Sequence, residues 1–334
     1  MRVSDRLFSW WNRTRRRRAF VIGFGKAPGW PEYLRFGAKH SPARELELWI
    51  DKAAQYGEAH RASAWNGFAS RRHVSFLLRS SDGSHIFTGV VVPSKDAVGR
   101  RFPMAVAAMV PARDLSPMAH VAPLAFSGFL ARASRALVLA TAVSTPQELD
   151  NVLSSLEPPD LSDICRLAEE YDRWTWQQPL ISHLETLTRD ADARAILHTI
   201  LEATMPFRGR EAPPTALSIR LPLAKPKNIS LSFWLHVVRS ACQWRETVPG
   251  YFASANSALV QLGGTDAASA LADIWLPQAE SESVCTTTDT SKYGTPLPQD
   301  VGKLLVSNDA TVGDLLTALG VPTRQVQHEK DTFP

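Results

Sequence analysis

Two short blocks concentrate the residues whose types and spacing could do chemistry. The first, GFGKAPGW at 23–30, sets Gly23, Gly25, Lys26 and Pro28 directly after an apolar run. Glycine-rich turns of that kind cradle phosphate on backbone N–H groups, and a lysine adds charge. Here the chemistry fails: the GxxxxGKS or GxxxxGKT spacing is absent, no Ser or Thr follows Lys26 to hold magnesium, and Pro28 removes a donor. No nucleotide or other cofactor is implied.

The second block, GVVVPSKDAVGRRFPMAV at 89–106, holds Gly89, Pro93, Ser94, Lys95, Asp96, Val98, Gly99, Arg100, Arg101, Phe102 and Pro103. Its structural reading is strand, turn, strand. Gly99 supplies an unusual backbone angle, and Pro103 sits where a strand opens and a missing N–H matters least. Its functional reading makes Lys95, Arg100 and Arg101 a basic knuckle for an acidic or phosphorylated partner. The two readings are compatible.

Elsewhere reactive residue types are scattered. The nine histidines form no HExxH, HxH or Cys/His cluster, so a metal site has no support. His183 and His198 would stand about four turns apart on a continuous helix, too far to share an ion; solvated or hydrogen-bonded histidines suffice. Cys165, Cys242 and Cys285 are few, odd in number and far apart, which suits reduced thiols rather than a disulfide framework. Cys165, inside LSDICRLAEE, reads as a small core residue rather than a nucleophile. No GxSxG elbow or paired carboxylates are found. A non-enzymatic protein is expected.

The elements that position the two blocks follow from periodicity. AFVIGFG at 19–25 suits a buried strand. Ser41-Pro42 opens a helix that should run to about His60, with Leu46, Trp49, Ile50, Ala53 and Tyr56 along one face. HVSFLLR at 73–79, HIFTGVVVP at 85–93 and FPMAVAAMV at 102–110 read as strands. The Asp82-Gly83 turn joins the first pair, and the short link at 94–101 makes the next pair antiparallel too. Residues 116–143 look helical, with Phe126, Leu130, Ala133, Leu137 and Ala140 as the buried stripe. An antiparallel sheet flanked by helices, of α+β class, is predicted.

Downstream, helical patches at 145–156, 161–176 and 179–204 suggest a connector. A smaller mixed unit follows: a strand at 218–223, a helix at 229–244, one or two strands at 251–263, and a short helix with Thr265 as candidate N-cap. Residues 277–300 are rich in Ser, Thr, Glu, Pro and Gln and read as a mobile loop. DATVGDLLTALG at 309–320 closes as a helix ending in glycine, and the last dozen or so residues should fray. The expected division is a basic tail 1–18, an α/β core domain 19–143, a helical connector 144–216, a mixed second unit 217–276, and a polar linker with terminal helix 277–334.

Composition bounds the function class. With 44% hydrophobic and 21% charged residues, the 334-residue chain is that of a globular protein. The net charge of +4 depends on residues 1–18, which carry seven of the 37 basic residues and one of the 33 acids. The remainder is slightly acidic, so no specific nucleic-acid surface is implied. No run of about 18 apolar residues or secretory leader is found, and a cytoplasmic location is expected.

The two blocks, in this order and spacing, resemble those of the TagF (ImpM) family of type VI secretion-associated proteins. Gly89, Pro93, Ser94, Asp96, Val98, Gly99, Arg100, Phe102 and Pro103 fall on its second block, and Gly23, Gly25, Lys26 and Pro28 on its first. SFWLHVV at 232–238, SALVQLGG at 257–264 and DAASALADIW at 266–275 resemble later family segments more loosely. The stretch PGWPEYL after the first block departs from the family's G-D-F type segment. The resemblance implies a profilin- or longin-like core and a non-enzymatic, post-translational repressor that binds the forkhead-associated scaffold protein, Fha. A rival reading rests on the tail. Its arginines with Phe8, Trp10 and Trp11 suit peripheral contact with an anionic membrane or nucleic acid, or a solubilising arm.

Overall fold

A computed structural model describes residues 19–37, 41–60, 73–188, 193–210, 217–244, 247–263, 268–275, 284–285 and 297–320. The basic tail 1–18, Thr265, most of the expected polar linker and the C-terminal 321–334 lie outside the described residues.

The N-terminal strands form where apolar runs predict them: β1 (Phe20–Gly25), β3 (Val74–Arg79), β4 (His85–Val92) and β5 (Met104–Pro111). A three-residue strand, β2 (Leu34–Phe36), lies inside the expected loop and pairs with β1. The Asp82-Gly83 turn joins β3 to β4: Asp82 Oδ1 accepts from the Ser80 hydroxyl at 2.6 Å and from Ser84 N at 2.9 Å. β4 pairs antiparallel with β5, and β5 with β1. Downstream come β6 (Leu217–Pro222), β7 (Tyr251–Ala253), β8 (Ser257–Gly263) and a two-residue β9 (Val284–Cys285).

These strands join one nine-stranded sheet of order β2-β1-β5-β4-β3-β7-β8-β6-β9. The seam is β3 against β7, with Phe76 opposite Phe252. The strands of the expected core domain and of the expected second unit therefore share one hydrogen-bonded ladder. All pairs are antiparallel except β6 with β9. That last strand falls where the polar composition predicts a mobile loop, so the loop expectation is corrected there.

Both faces of the sheet are covered, which explains why β5 is apolar at every position instead of alternating. On one face lie α1 (Ser41–His60) and α9 (Ala268–Trp275), packed beside each other. Leu46, Ile50 and Ala53 of α1 meet Phe24, Phe76 and Phe87, while Leu271 and Ile274 of α9 join Phe252 and Leu259. Gly57 weakens α1 by about 1 kcal/mol relative to alanine. Burying Leu46 and Ile50 contributes about 1.5–3 kcal/mol each, so packing decides the helix.

The opposite face carries the remaining helices. The expected helix at 116–143 is broken into a 3-10 turn (Ser116–Val121), α2 (Ala122–Ala125) and α3 (Ser127–Ala140). Phe126, Ala133, Leu137 and Ala140 are buried as the stripe predicts, and Leu130 is half-buried. α4 (Pro146–Ser154), capped by Thr145, adds Leu149 and Leu153 to the same layer. Among the described residues no single helix is long and apolar enough to cross a membrane; the bent pair Met118–Ala125 and Ser127–Ala140 is apolar because it packs on the sheet.

The expected connector is a core layer. α5 (Ile164–Gln177), α6 (Leu180–Thr188) and α7 (Ala193–Thr204) pack around α8 (Lys227–Cys242), whose residues from Ser230 onward are all buried. Trp234 of α8 donates its indole N–H to the Pro222 carbonyl at 2.8 Å, tying helix to sheet. Cys165 corrects the sequence reading: Ile164 and Ala168 fill the buried stripe of α5, and Cys165 faces outward. α10 (Gln299–Leu304) and α11 (Val312–Ala318) complete the layer, the latter with a Thr311–Asp314 capping box.

Candidate partner-binding site

The two sequence blocks meet at one end of the sheet. β1 ends at Gly25, whose φ of +135° and close approach to Pro103 require glycine: a Cβ there would lie 2.2 Å from the Pro103 carbonyl oxygen. Gly23, one turn of the pleat earlier, lies beneath Leu153 of α4. Beyond Gly25 the chain runs alongside the second block. The Lys26 carbonyl accepts from the Ser94 hydroxyl at 2.6 Å, and the Trp30 carbonyl accepts from Ala97 N at 3.1 Å.

Asp96 is the knot of this arrangement. Its side chain has no accessible surface. Oδ1 accepts from Val98 N at 3.1 Å and from Arg100 N at 2.7 Å, closing a turn in which Gly99 takes φ +90°. Oδ2 accepts from Arg100 Nε at 2.6 Å and pairs with Lys26 Nζ at 3.1 Å. Arg100 also donates to the Pro31 carbonyl. Burial alone would raise the Asp96 carboxyl, but the Arg100 side chain and backbone and then Lys26 outweigh it and bring it down to about 2. A carboxylate so engaged is a structural anchor, with no lone pair directed at solvent for general-base or metal work.

The remaining block residues divide between packing and surface. Pro93 and Pro103 are buried, and Phe102 meets Tyr33 edge to face at 5.0 Å. Gly89 lies opposite Ala107 in the β4–β5 ladder, where a Cβ would stand 2.4 Å from the Val106 oxygen. Val98 is 66% exposed. Lys95 and Arg101 are exposed and face each other across an isolated antiparallel bridge. Of the three basic residues singled out in the sequence, Arg100 spends its guanidinium on Asp96 and Pro31, while Lys95 and Arg101 flank the turn.

A cleft of about 320 Å³ opens beside this turn. Pro28, Val92, Pro93 and Lys95 form one side, and Leu137 and Val138 of α3 with Thr141 just beyond it the other. His73 closes one end; burial, then the charge of Lys227, lowers its pKa. The sequence reading missed the α3 wall. Its signal was present: Val138 and Leu139 are apolar yet off the buried stripe, and they are 63% and 57% exposed.

A second concentration of polar side chains lies in the interior. His120 and His236 stack at 4.1 Å, Arg239 contacts His120 Nδ1 at 3.1 Å, and Tyr171 packs on both rings. His183 is buried between Trp174 and Phe233 rather than solvated, and it sits on a different helix from His198. Among the described residues no group of three or more His, Cys, Asp or Glu is arranged to hold a metal ion.

Residues 23–156 match the family model of the TagF N-terminal domain, type VI secretion system-associated. This segment resembles a TagF N-terminal domain. It spans β1 through α4 and so contains both blocks, the Asp96 knot and both walls of the cleft. Comparison with curated proteins gives no match. Among solved structures, the crystal structure of PA0076 from Pseudomonas aeruginosa PAO1 is similar at 21% identity over 42% of this chain, with a TM-score of 0.37. The similar region spans 63% of that chain's length. The matched segment contains the end of β1 and all of β2 to β5; β6 to β9 lie outside it.

Proposed function

We propose that this protein is a non-enzymatic, cytoplasmic regulator of type VI secretion, a post-translational repressor that acts by binding the forkhead-associated scaffold protein. The observation that carries the reading is the match of residues 23–156 to the TagF N-terminal domain. Its ionic chemistry supports a binding role over a catalytic one. Lys26, Asp96 and Arg100, the residues of the two blocks best suited to acid-base or phosphate chemistry, neutralise one another and hold a turn. Lys95 and Arg101 are exposed beside that turn and are the contact residues of this reading. The assignment as repressor is tested by deleting the gene and measuring release of a type VI effector into the medium. Release should rise; unchanged or reduced release sinks the repressor assignment.

A further inference from the structure

We propose that the seam where the 3-10 turn Ser116–Val121 and α5 lie on α8 is an acid-operated latch: proton uptake by the stacked His120 and His236 releases the turn and α5 from α8 while the sheet stays folded. The latch is independent of the regulator reading above.

The seam admits its two imidazoles only while they are neutral. His120 comes from the turn and His236 from α8; their rings stack at 4.1 Å, and Tyr171 of α5 packs on both, at 5.5 and 5.7 Å. All three side chains are buried. Arg239 of α8 sets Nη1 3.1 Å from His120 Nδ1 and Nη2 3.3 Å from the Ser116 carbonyl. A guanidinium can only donate, so His120 Nδ1 accepts and the proton of that ring sits on Nε2. A second proton would have to displace the guanidinium and would face it as a like charge. His120 Nε2, His236 Nδ1 and the Tyr171 hydroxyl have no hydrogen-bond partner among the described residues, nor do the hydroxyls of Ser232 and Ser240, about one turn to either side of His236.

No carboxylate is placed to compensate. The charges acting on the rings are Arg239 and, for His120, also His236. The short turn ahead of Ser116 brings Asp114, 3.8 Å from Arg113, and α5 brings Asp172, which acts on Tyr171. α6 brings His183, against Phe233. α7 brings Arg194, and His198 at 3.7 Å from Glu202, and α11 brings Asp314, which caps Thr311. α2 carries no titratable side chain. Burial, then these neighbouring positive groups, hold both rings below the usual histidine range, His236 at about 3. Protonation therefore requires the rings to reach water. The side that yields is the outer one. α8 is buried from Ser230 to Cys242 and tied to the sheet through Trp234. α5 buries Ile164, Ala168, Tyr171 and Thr175 and turns its other face to solvent, and the turn is kinked at Met118. Elements with less buried surface open first.

Hydrogen exchange of the full chain, read by mass spectrometry and corrected for the intrinsic pH dependence of exchange, tests the latch. Between about pH 7.5 and pH 5, exchange over 116–121 and 164–177 should accelerate about thirtyfold for each histidine freed to titrate normally, while β4 and β5 keep their protection. His236→Phe keeps an aromatic ring in the stack and removes one titrating group, so it should cut that acceleration about thirtyfold. Acceleration that is absent, that spreads equally over β4 and β5, or that is unchanged in His236→Phe overturns the proposal. Should that variant not fold, the wild-type pattern decides alone: selective loss over 116–121 and 164–177 supports the latch, and uniform loss or none sinks it.

Discussion

At the scale of single residues, Asp96 decides what the family blocks are for. A buried carboxylate held by two cations and two backbone N–H groups stabilises the turn only while charged. Its folded pKa, near 2, lies below the usual 3.8. Its contribution is therefore complete above about pH 4 and fades as pH falls through the folded value. Asp96→Asn should lose about 2–3 kcal/mol at neutral pH, because an amide N–H₂ would face Arg100 and Lys26. It should also flatten the acid limb between pH 4 and 2; urea unfolding across that range measures both. Gly89→Ala tests the ladder beside it. A Cβ pressed against Val106 O and Ala107 should cost about 2 kcal/mol or more in the same assay. The strand-turn-strand role of the second block was legible from Gly99 and Pro103. The ion pair from Asp96 to Lys26 was not, because nothing local in a sequence marks which distant lysine meets a carboxylate.

Among the elements, α8 governs the acid sensitivity of the core. His236 on α8 is lowered to about 3 by burial and then by Arg239; His120 is pushed well below its usual value by burial, then by His236 and Arg239. Burial lowers His183 on α6 to about 4. Because the unfolded chain takes up these protons near pH 6.5 and the folded chain does not, stability is greatest above pH 7 and falls with acid. Each histidine adds a slope of about 1.4 kcal/mol per pH unit below that point. His236→Phe should reduce the slope between pH 6 and 4, read by thermal or urea unfolding; an unchanged slope would assign the effect to other groups. Elements with a strong period were legible: α1, the β3–β4–β5 meander and the stripe of α3 lie where the sequence predicts them. β2 and β9 were not, since strands of three and two residues carry no period of their own. Cys165 was misplaced because a small residue one position from Ile164 fits either side of a helix until the packing is known.

For the whole molecule, the consequential feature is the single sheet. β3 is an interior strand only because β7 pairs with it, and Trp49 of α1 stacks on Phe252 of β7 at 5.5 Å. No sequence signal announces a pairing between Phe76 and Phe252, so the expected division into units did not foresee a shared ladder. Residues 19–156 expressed alone should expose the β3 edge and the apolar face that α9 covers, and should aggregate. Size-exclusion chromatography checks this; a monomer that unfolds cooperatively would show that residues 19–156 stand without β6 to β9. The larger claim is that the chain works by binding, with its block residues serving architecture and contact. Isothermal titration of the full chain against the cognate forkhead-associated scaffold tests it most directly. Saturable association at micromolar or tighter affinity, weakened by Lys95→Glu, is the predicted result; no heat of binding at concentrations well above micromolar would contradict the account.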